Sequence, residues 1–300
     1  MYYNTTLRRI GFGLPAELWI VQAGIFLNYL GWGGVMPFEV IYLHDGRGFS
    51  VGVAGLVVGT VTGLAVVAAP VAGPVIDRFG ARATAAGAGM ALAAGYAGLA
   101  FAHAPWQAFI AAGAAGIGNG ALIPSQSALL TSLVRPDLRH RATAVSRVAG
   151  NLGAGLGAAL GGVIAAHGVN GFVALFLANA ATYVLYVGIL VVAVGGEPRP
   201  EPLAGGYRLL LRDRAFMRLA LTNVAVIAVG WGFFTWVVPL YAREELGVSP
   251  RLIGLLLLAN AATVVVALVV RDAKGTRREG IIMLAAYAAI VLLYFVVGDR

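Results

Sequence analysis

The sequence predicts an all-α membrane protein, and three observations carry that reading. Of 300 residues, 60% are hydrophobic and only 11% are charged, against roughly 25% charged in an average soluble domain. So few charges cannot solvate the surface of a water-soluble fold of this length. The apolar residues are strung into runs long enough to cross a hydrocarbon core of about 30 Å, which takes about 20 residues per helix. The alternation of oil-facing and polar positions that a transmembrane barrel requires is missing.

Nine segments meet the helical criterion, near 17–43, 51–75, 83–103, 106–133, 142–166, 170–194, 216–242, 251–270 and 280–297. The first follows MYYNTTLRRI directly, a long span rather than a short apolar core with a small-residue cleavage site, so no cleavable signal peptide is expected. The fourth contains Gly116-Ile117-Gly118-Asn119-Gly120, which is no dinucleotide loop because no strand precedes it. In the fifth, Gly150, Gly153, Gly157, Gly161 and Gly162 recur at three- and four-residue intervals, marking a face that lets another backbone approach closely. After the sixth, residues 196–215 turn rich in Pro, Gly and Arg and read as a cytoplasmic linker ending in a short basic surface helix. The expected organisation is thus an N-terminal six-helix bundle (1–195), that linker (196–215) and a three-helix C-terminal part (216–300).

The formal net charge is +8, and topology accounts for it. With the N-terminus inside, seventeen of the 21 Lys and Arg fall on the cytoplasmic side, leaving Arg47, Arg243, Arg251 and Arg300 outside. Nucleic acid is therefore not an expected partner; lipid and a small-molecule substrate are. Oligomeric state cannot be read from the chain.

Sliding the chain on itself by 199 positions reveals a repeat. Gly31-Trp32-Gly33 lands on Gly230-Trp231-Gly232, Tyr42 on Tyr241, Gly48 on Gly247, Ser50 on Ser249 and Gly55 on Gly254. With four residues fewer in the eighth span, Asp77, Gly80 and Arg82 land on Asp272, Gly275 and Arg277. Two copies in one orientation are the parallel repeat of secondary transporters, with the substrate path between the halves.

Here a resemblance enters. Gly73-Pro74-Val75-Ile76-Asp77-Arg78-Phe79-Gly80-Ala81-Arg82 is similar to the cytoplasmic G-x-x-x-D-R-x-G-R-R/K motif of the major facilitator superfamily, with Ala81 at one basic position. Gly157-Ala158-Ala159-Leu160-Gly161-Gly162 resembles its antiporter motif G-P-x-x-G-G, with Ala158 where proline is usual. The fourth span lacks the family's R-x-x-x-G arginine; Ala112 stands four residues before Gly116. The resemblance implies a superfamily-type helical bundle, here a six-helix N-half with an incomplete C-half, and a carrier of drug- or metabolite-efflux type in the bacterial inner (plasma) membrane. It also implies that Gly73, Asp77, Arg78, Gly80, Arg82 and Asp272 form cytoplasmic gating turns, Asp77 facing an eleventh helix. Twelve spans are usual, so spans ten to twelve are expected to be missing and the C-part to be loosely held.

Read as residues, the polar groups at membrane depth are the candidate site. Glu39 is the one acid well inside a predicted span, and at 100° per residue Asn28, Trp32, Val35 and Glu39 share a stripe of the first helix. That stripe is expected to line the central cavity, with Glu39 a candidate for proton coupling; no other cofactor is implied. Arg147 and Asn151 lie one turn apart on the fifth span, and Asn119, Gln126, Trp231 and Trp236 complete the candidate cavity set. The histidines form no i,i+4 pair and have no neighbouring ligand cluster in sequence, so no metal site is expected, and neither H-E-x-x-H nor G-x-S-x-G occurs. An enzyme is not expected; the alternative to a transporter is a non-transporting truncated relic or assembly protein.

Overall fold

The computed structural model describes residues 9–10, 13–195, 212–226 and 233–270. Strands Arg9–Ile10 and Leu14–Pro15 pair antiparallel ahead of the first helix. The six helices that follow are α1 (Ala16–Val35), α2 (Val51–Phe79), α3 (Ala81–Phe101), α4 (Pro105–Leu133), α5 (Arg139–Ala165) and α6 (Val169–Ala193). Each belongs to a segment long and apolar enough to cross a membrane, and they match the first six expected spans to within a few residues. The chain is an integral membrane protein.

The first crossing is not a uniform rod. α1 continues through a 3-10 turn (Met36–Phe38), one α turn (Glu39–Ile41) and a π turn (Tyr42–Gly46), so the whole crossing is Ala16–Gly46. Pro37 has no N–H to give to the α ladder, which is where the rhythm changes. α2 begins where Ser50 Oγ accepts from Val53 N–H at 3.3 Å and ends at Gly80, whose φ of +88° turns the chain sharply into α3. Its outer apolar side chains, among them Leu56, Val66, Val67 and Val71, are exposed, as lipid-facing residues should be.

The rear of the chain adds α7 (Arg214–Val226), a π turn (Phe233–Val237) leading into α8 (Val238–Glu244), and α9 (Pro250–Val270). α7 and α8 fall on the expected seventh span and α9 on the eighth. The ninth expected span (280–297), most of the linker, Trp231 and Asp272 lie outside the described residues.

Glycine sets the packing. A Cβ at Gly153, Gly157 or Gly161 would strike the α1 carbonyls of Phe26, Leu30 and Gly34 respectively. On another face of α5, a Cβ at Gly155 would meet Ala261 and one at Gly162 would meet Pro250, while one at Gly254 would strike the Ala158 carbonyl. The glycine series read from the fifth span therefore serves two neighbours, one in each part of the chain. Ala158 sits in the second contact and α5 runs through it unbroken. A loosely held C-part does not describe α9, which rests backbone to backbone on α5; it fits α7, none of whose residues is buried. Gly116 and Gly120 of α4 play the same part against Val61 and Ala65 of α2, and Gly118 against Ala88 of α3, so the G-x-G-x-G run is packing surface.

The repeat is visible in the backbone. Phe49 N–H donates to the Leu43 carbonyl at 3.0 Å, and its counterpart Val248 donates to Ala242 at 2.9 Å. Gly48 and Gly247 both take positive φ, +72° and +62°. Ser249 Oγ, like Ser50 Oγ, accepts from the N–H three residues on. Pro250, Gly254 and Ala261 of α9 meet Gly162, Ala158 and Gly155 of α5 in turn, so α9 runs antiparallel to α5 and in the direction of α2, as the parallel repeat requires.

Candidate functional site

Three helices enclose a cavity of about 370 Å³, within the range of small-molecule sites. α1 contributes Ile25, Tyr29 and Trp32; α4 contributes Ile123, Gln126, Ser127, Leu130 and Thr131; α5 contributes Thr143, Ser146, Arg147, Gly150, Asn151 and Ala154. Each set follows the i, i+3, i+4, i+7 spacing of one helical face. The cavity lies in the half of the bundle nearer Gly80, where α5 begins and α4 ends.

Its walls are held from behind. Gln22 Nε2 donates to Ser146 Oγ at 2.7 Å and to the Ala142 carbonyl at 3.1 Å, fixing α5 against α1. Asn151 Nδ2 donates to the Arg147 carbonyl at 2.8 Å, one turn back. Tyr29 and Trp32 meet edge to face, ring centroids 5.9 Å apart, and form the aromatic wall. Arg147 is the one charged side chain of the lining. Gln126 is 9% exposed, and its side chain is engaged by Tyr186 of α6.

Four of the expected cavity residues, Trp32, Gln126, Arg147 and Asn151, are brought together here. The α1 stripe as a whole is not. Trp32 lines the cavity while Asn28 and Glu39 are buried, 3% and 4% exposed. The turns at Met36–Phe38 break the 100° progression before Glu39 is reached. Asn28 turns into the packed bundle, its amide without a partner among the described residues. Asn119 is half-buried on α4 and is not part of this lining. Trp236, expected opposite Trp32, instead meets Glu39: its indole Nε1 donates to Glu39 Oε2 at 3.3 Å. The cavity residues not foreseen, Tyr29, Thr143 and Ser146 with Gln22 behind them, had a readable signal. Thr143, Ser146, Arg147 and Asn151 form a polar face at i, i+3, i+4 and i+8.

The Gly73–Arg82 motif takes the expected tight turn. Gly73 lies in the last turns of α2, Asp77 and Arg78 are exposed at its end, and Gly80 makes the left-handed corner. Arg82 reaches across to α6, donating to the Val191 carbonyl at 2.7 Å.

At the opposite end the front and rear of the chain meet. Besides Glu39 and Trp236, Arg243 Nε lies 3.9 Å from Asp45 Oδ2, and potential ligand atoms of His44, Asp45 and Glu244 fall within 4.8 Å of one another. The histidine spacing does not reveal that proximity, because Glu244 comes from the second copy. Tyr42 is fully buried, and its hydroxyl donates to the Ala100 carbonyl at 2.8 Å. Arg47 Nε donates to the Tyr42 hydroxyl at 2.6 Å, and its terminal nitrogen donates to the same carbonyl, closing the end of α3.

Comparison with known proteins gives the relationships of the chain. The sequence profile described as Major Facilitator Superfamily matches residues 23–299. Among curated proteins, the "Uncharacterized MFS-type transporter YttB" of Bacillus subtilis (strain 168) is 29% identical over 261 residues, covering 84% of this chain and 64% of that protein. The "Multidrug resistance protein MdtH" of Aeromonas hydrophila is 28% identical over 236 residues, covering 77% and 58%. The chain therefore spans about six tenths of the length of these relatives. Among solved structures, an inward-facing bacterial homologue of the human lysosomal transporter Spinster aligns with a TM-score of 0.67 at 15% identity, covering 84% of this chain and 61% of that one. A D-xylose–proton symporter aligns with a TM-score of 0.62 at 15% identity, covering 85% and 68%. At these identities the structural likeness speaks for the fold.

Proposed function

The chain belongs to the major facilitator superfamily, and on that premise we propose that it carries a small molecule across the membrane as a secondary active transporter of efflux type, by alternating access. One observation carries the reading. Among the described residues, the hydrogen bond, the ion pair and the glycine contacts that join the rear of the chain to its front (Trp236 with Glu39, Arg243 with Asp45, α9 on α5) lie away from the Gly80 end. The cavity with Arg147 lies toward that end. Halves joined toward one side, around a cleft of about 570 Å³ lined by Asp45, Arg243 and Pro250, with a separate lined cavity toward the other side, fit one state of an alternating-access cycle. In this reading the Gly80 end faces the cytoplasm of a bacterial cell, the N-terminus is cytoplasmic, and residues 1–195 and 216–300 are the moving units. Gly73, Asp77, Arg78, Gly80 and Arg82 form the inner gate with Asp272, and Glu39 couples a proton to the cycle.

The experiment is accumulation of a panel of fluorescent amphipathic dyes in bacteria deleted for their own efflux pumps. Expression of the chain lowers accumulation of at least one dye, and a protonophore restores it. Unchanged accumulation across the panel, with the chain verified in the membrane, overturns the reading.

A further inference from the structure

The cavity between α1, α4 and α5 has a chemical sign. Its lining contains no Asp or Glu, and its one charged group is Arg147. Arg147 stands eight residues after Arg139, the start of α5, or about 12 Å along the helix. It is exposed on α5 at the end where the other cytoplasmic arginines gather, and it points its charge into the lining. A guanidinium in a cavity that holds no acid calls for an anion. The ion pairs among the described residues, Arg135 with Asp137 and Arg243 with Asp45, do not involve it. Glu39, the buried acid of the first crossing, is engaged by Trp236 and is absent from the lining.

The rest of the lining is compatible with that sign. The Gln126 side chain is engaged by the buried Tyr186 of α6. The other polar groups are the Asn151 carboxamide and hydroxyls, which serve either role, beside the rings of Tyr29 and Trp32.

We infer that the cavity binds an organic anion: a carboxylate or sulfonate on an aromatic body, with oxygens held by Arg147 and rings against Tyr29 and Trp32. The proposal deepens the transporter reading and rests on it only in taking the bound molecule for cargo.

The test uses the full chain in lipid nanodiscs with three probes of one shape, 2-naphthoate, neutral 2-naphthamide and cationic 2-naphthylmethylammonium, their binding followed by equilibrium dialysis. 2-Naphthoate binds at least tenfold more tightly than either analogue. R147Q lowers that affinity tenfold or more and leaves 2-naphthamide binding unchanged, which shows the site still folded. R147K, which keeps charge but loses the planar fork, falls between. R251Q, at the other end of the molecule, changes nothing. Equal or tighter binding of the ammonium probe, or wild-type naphthoate affinity in R147Q, overturns the inference. The two readings fail separately in proteoliposomes. If naphthoate binds through Arg147 but no gradient moves it, the anion site stands and transport falls. If the ammonium probe is moved without regard to Arg147, transport stands and the anion site falls.

Discussion

Trp236 and Glu39 are 197 residues apart in sequence, yet the indole nitrogen of one donates to the carboxyl oxygen of the other at 3.3 Å. The bond joins the rear of the chain to the first crossing. Glu39 is 4% exposed at membrane depth, where an acid is expensive to keep and is retained for a function by default. In the proposed cycle, a motion that parts the two halves would break this contact and so tie the state of the carboxyl to that motion.

Glu39→Gln separates coupling from binding. The amide oxygen still accepts from Trp236, so the fold survives and the midpoint of thermal unfolding stays within a few degrees. Transport driven by an imposed proton gradient is lost, while exchange of labelled for unlabelled substrate across the membrane continues. A variant whose gradient-driven transport and pH profile match the native protein would remove Glu39 from the coupling role.

Arg47 is predicted to hold the end of α3. Its Nε and a terminal nitrogen reach the Tyr42 hydroxyl and the Ala100 carbonyl, and hydrogen bonds from a charged donor contribute about 1.5–3 kcal/mol. Arg47→Ala therefore destabilises by about that amount in denaturation from detergent micelles. Tyr42→Phe, which keeps the packing on Phe172 and Phe176 but removes the hydroxyl that accepts from Arg47 and donates to Ala100, costs about 1.5–3 kcal/mol as well. An Arg47→Ala protein as stable as the native one would make the cluster ornamental.

The close approach of α1 and α5 gives a paired test. A Cβ at Gly157 would strike the Leu30 carbonyl, whereas the nearest atoms to a Cβ at Gly150 are the Tyr29 ring carbons at 3.5 Å. Gly157→Ala is expected to cost about 1–3 kcal/mol through overpacking of backbone against backbone. Gly150→Ala is expected to be neutral within about 0.5 kcal/mol. The ratio of the two, measured under one detergent condition, checks the packing without relying on either absolute value.

Much of the fold was legible because the bilayer makes length and polarity decisive. The first six crossings follow from apolar runs, and Gly48, Ser50, Gly247 and Ser249 announced two copies of one turn. The site was legible where its residues share a helical face, as Arg147 and Asn151 do. It was not legible where geometry departs from the ideal helix. The turns after Val35 rotate Glu39 off the Trp32 stripe, and helical spacing alone cannot register that. Nor could it foresee Trp236 on Glu39 or Glu244 beside His44, since each pair joins segments almost 200 residues apart whose meeting depends on how the two copies dock.

The repeat itself supplies the last prediction, because its two copies put equivalent glycines in different surroundings. Gly55 of α2 and Gly254 of α9 are separated by the 199-residue shift. A Cβ at Gly55 meets nothing within 4 Å, while one at Gly254 would strike the Ala158 carbonyl of α5. Gly254→Val should therefore lift α9 from α5 and leave the α1–α5 contact intact, whereas Gly55→Val should disturb neither contact. Hydrogen exchange read by mass spectrometry distinguishes the outcomes: peptides from 250–264 lose protection at least tenfold in Gly254→Val, with α1 to α6 unchanged, and no peptide changes in Gly55→Val. If α1 to α6 loosen together with α9, the two parts form one cooperative unit and do not move as separate bodies. The rocking motion required of an alternating-access carrier would then have no hinge along α5.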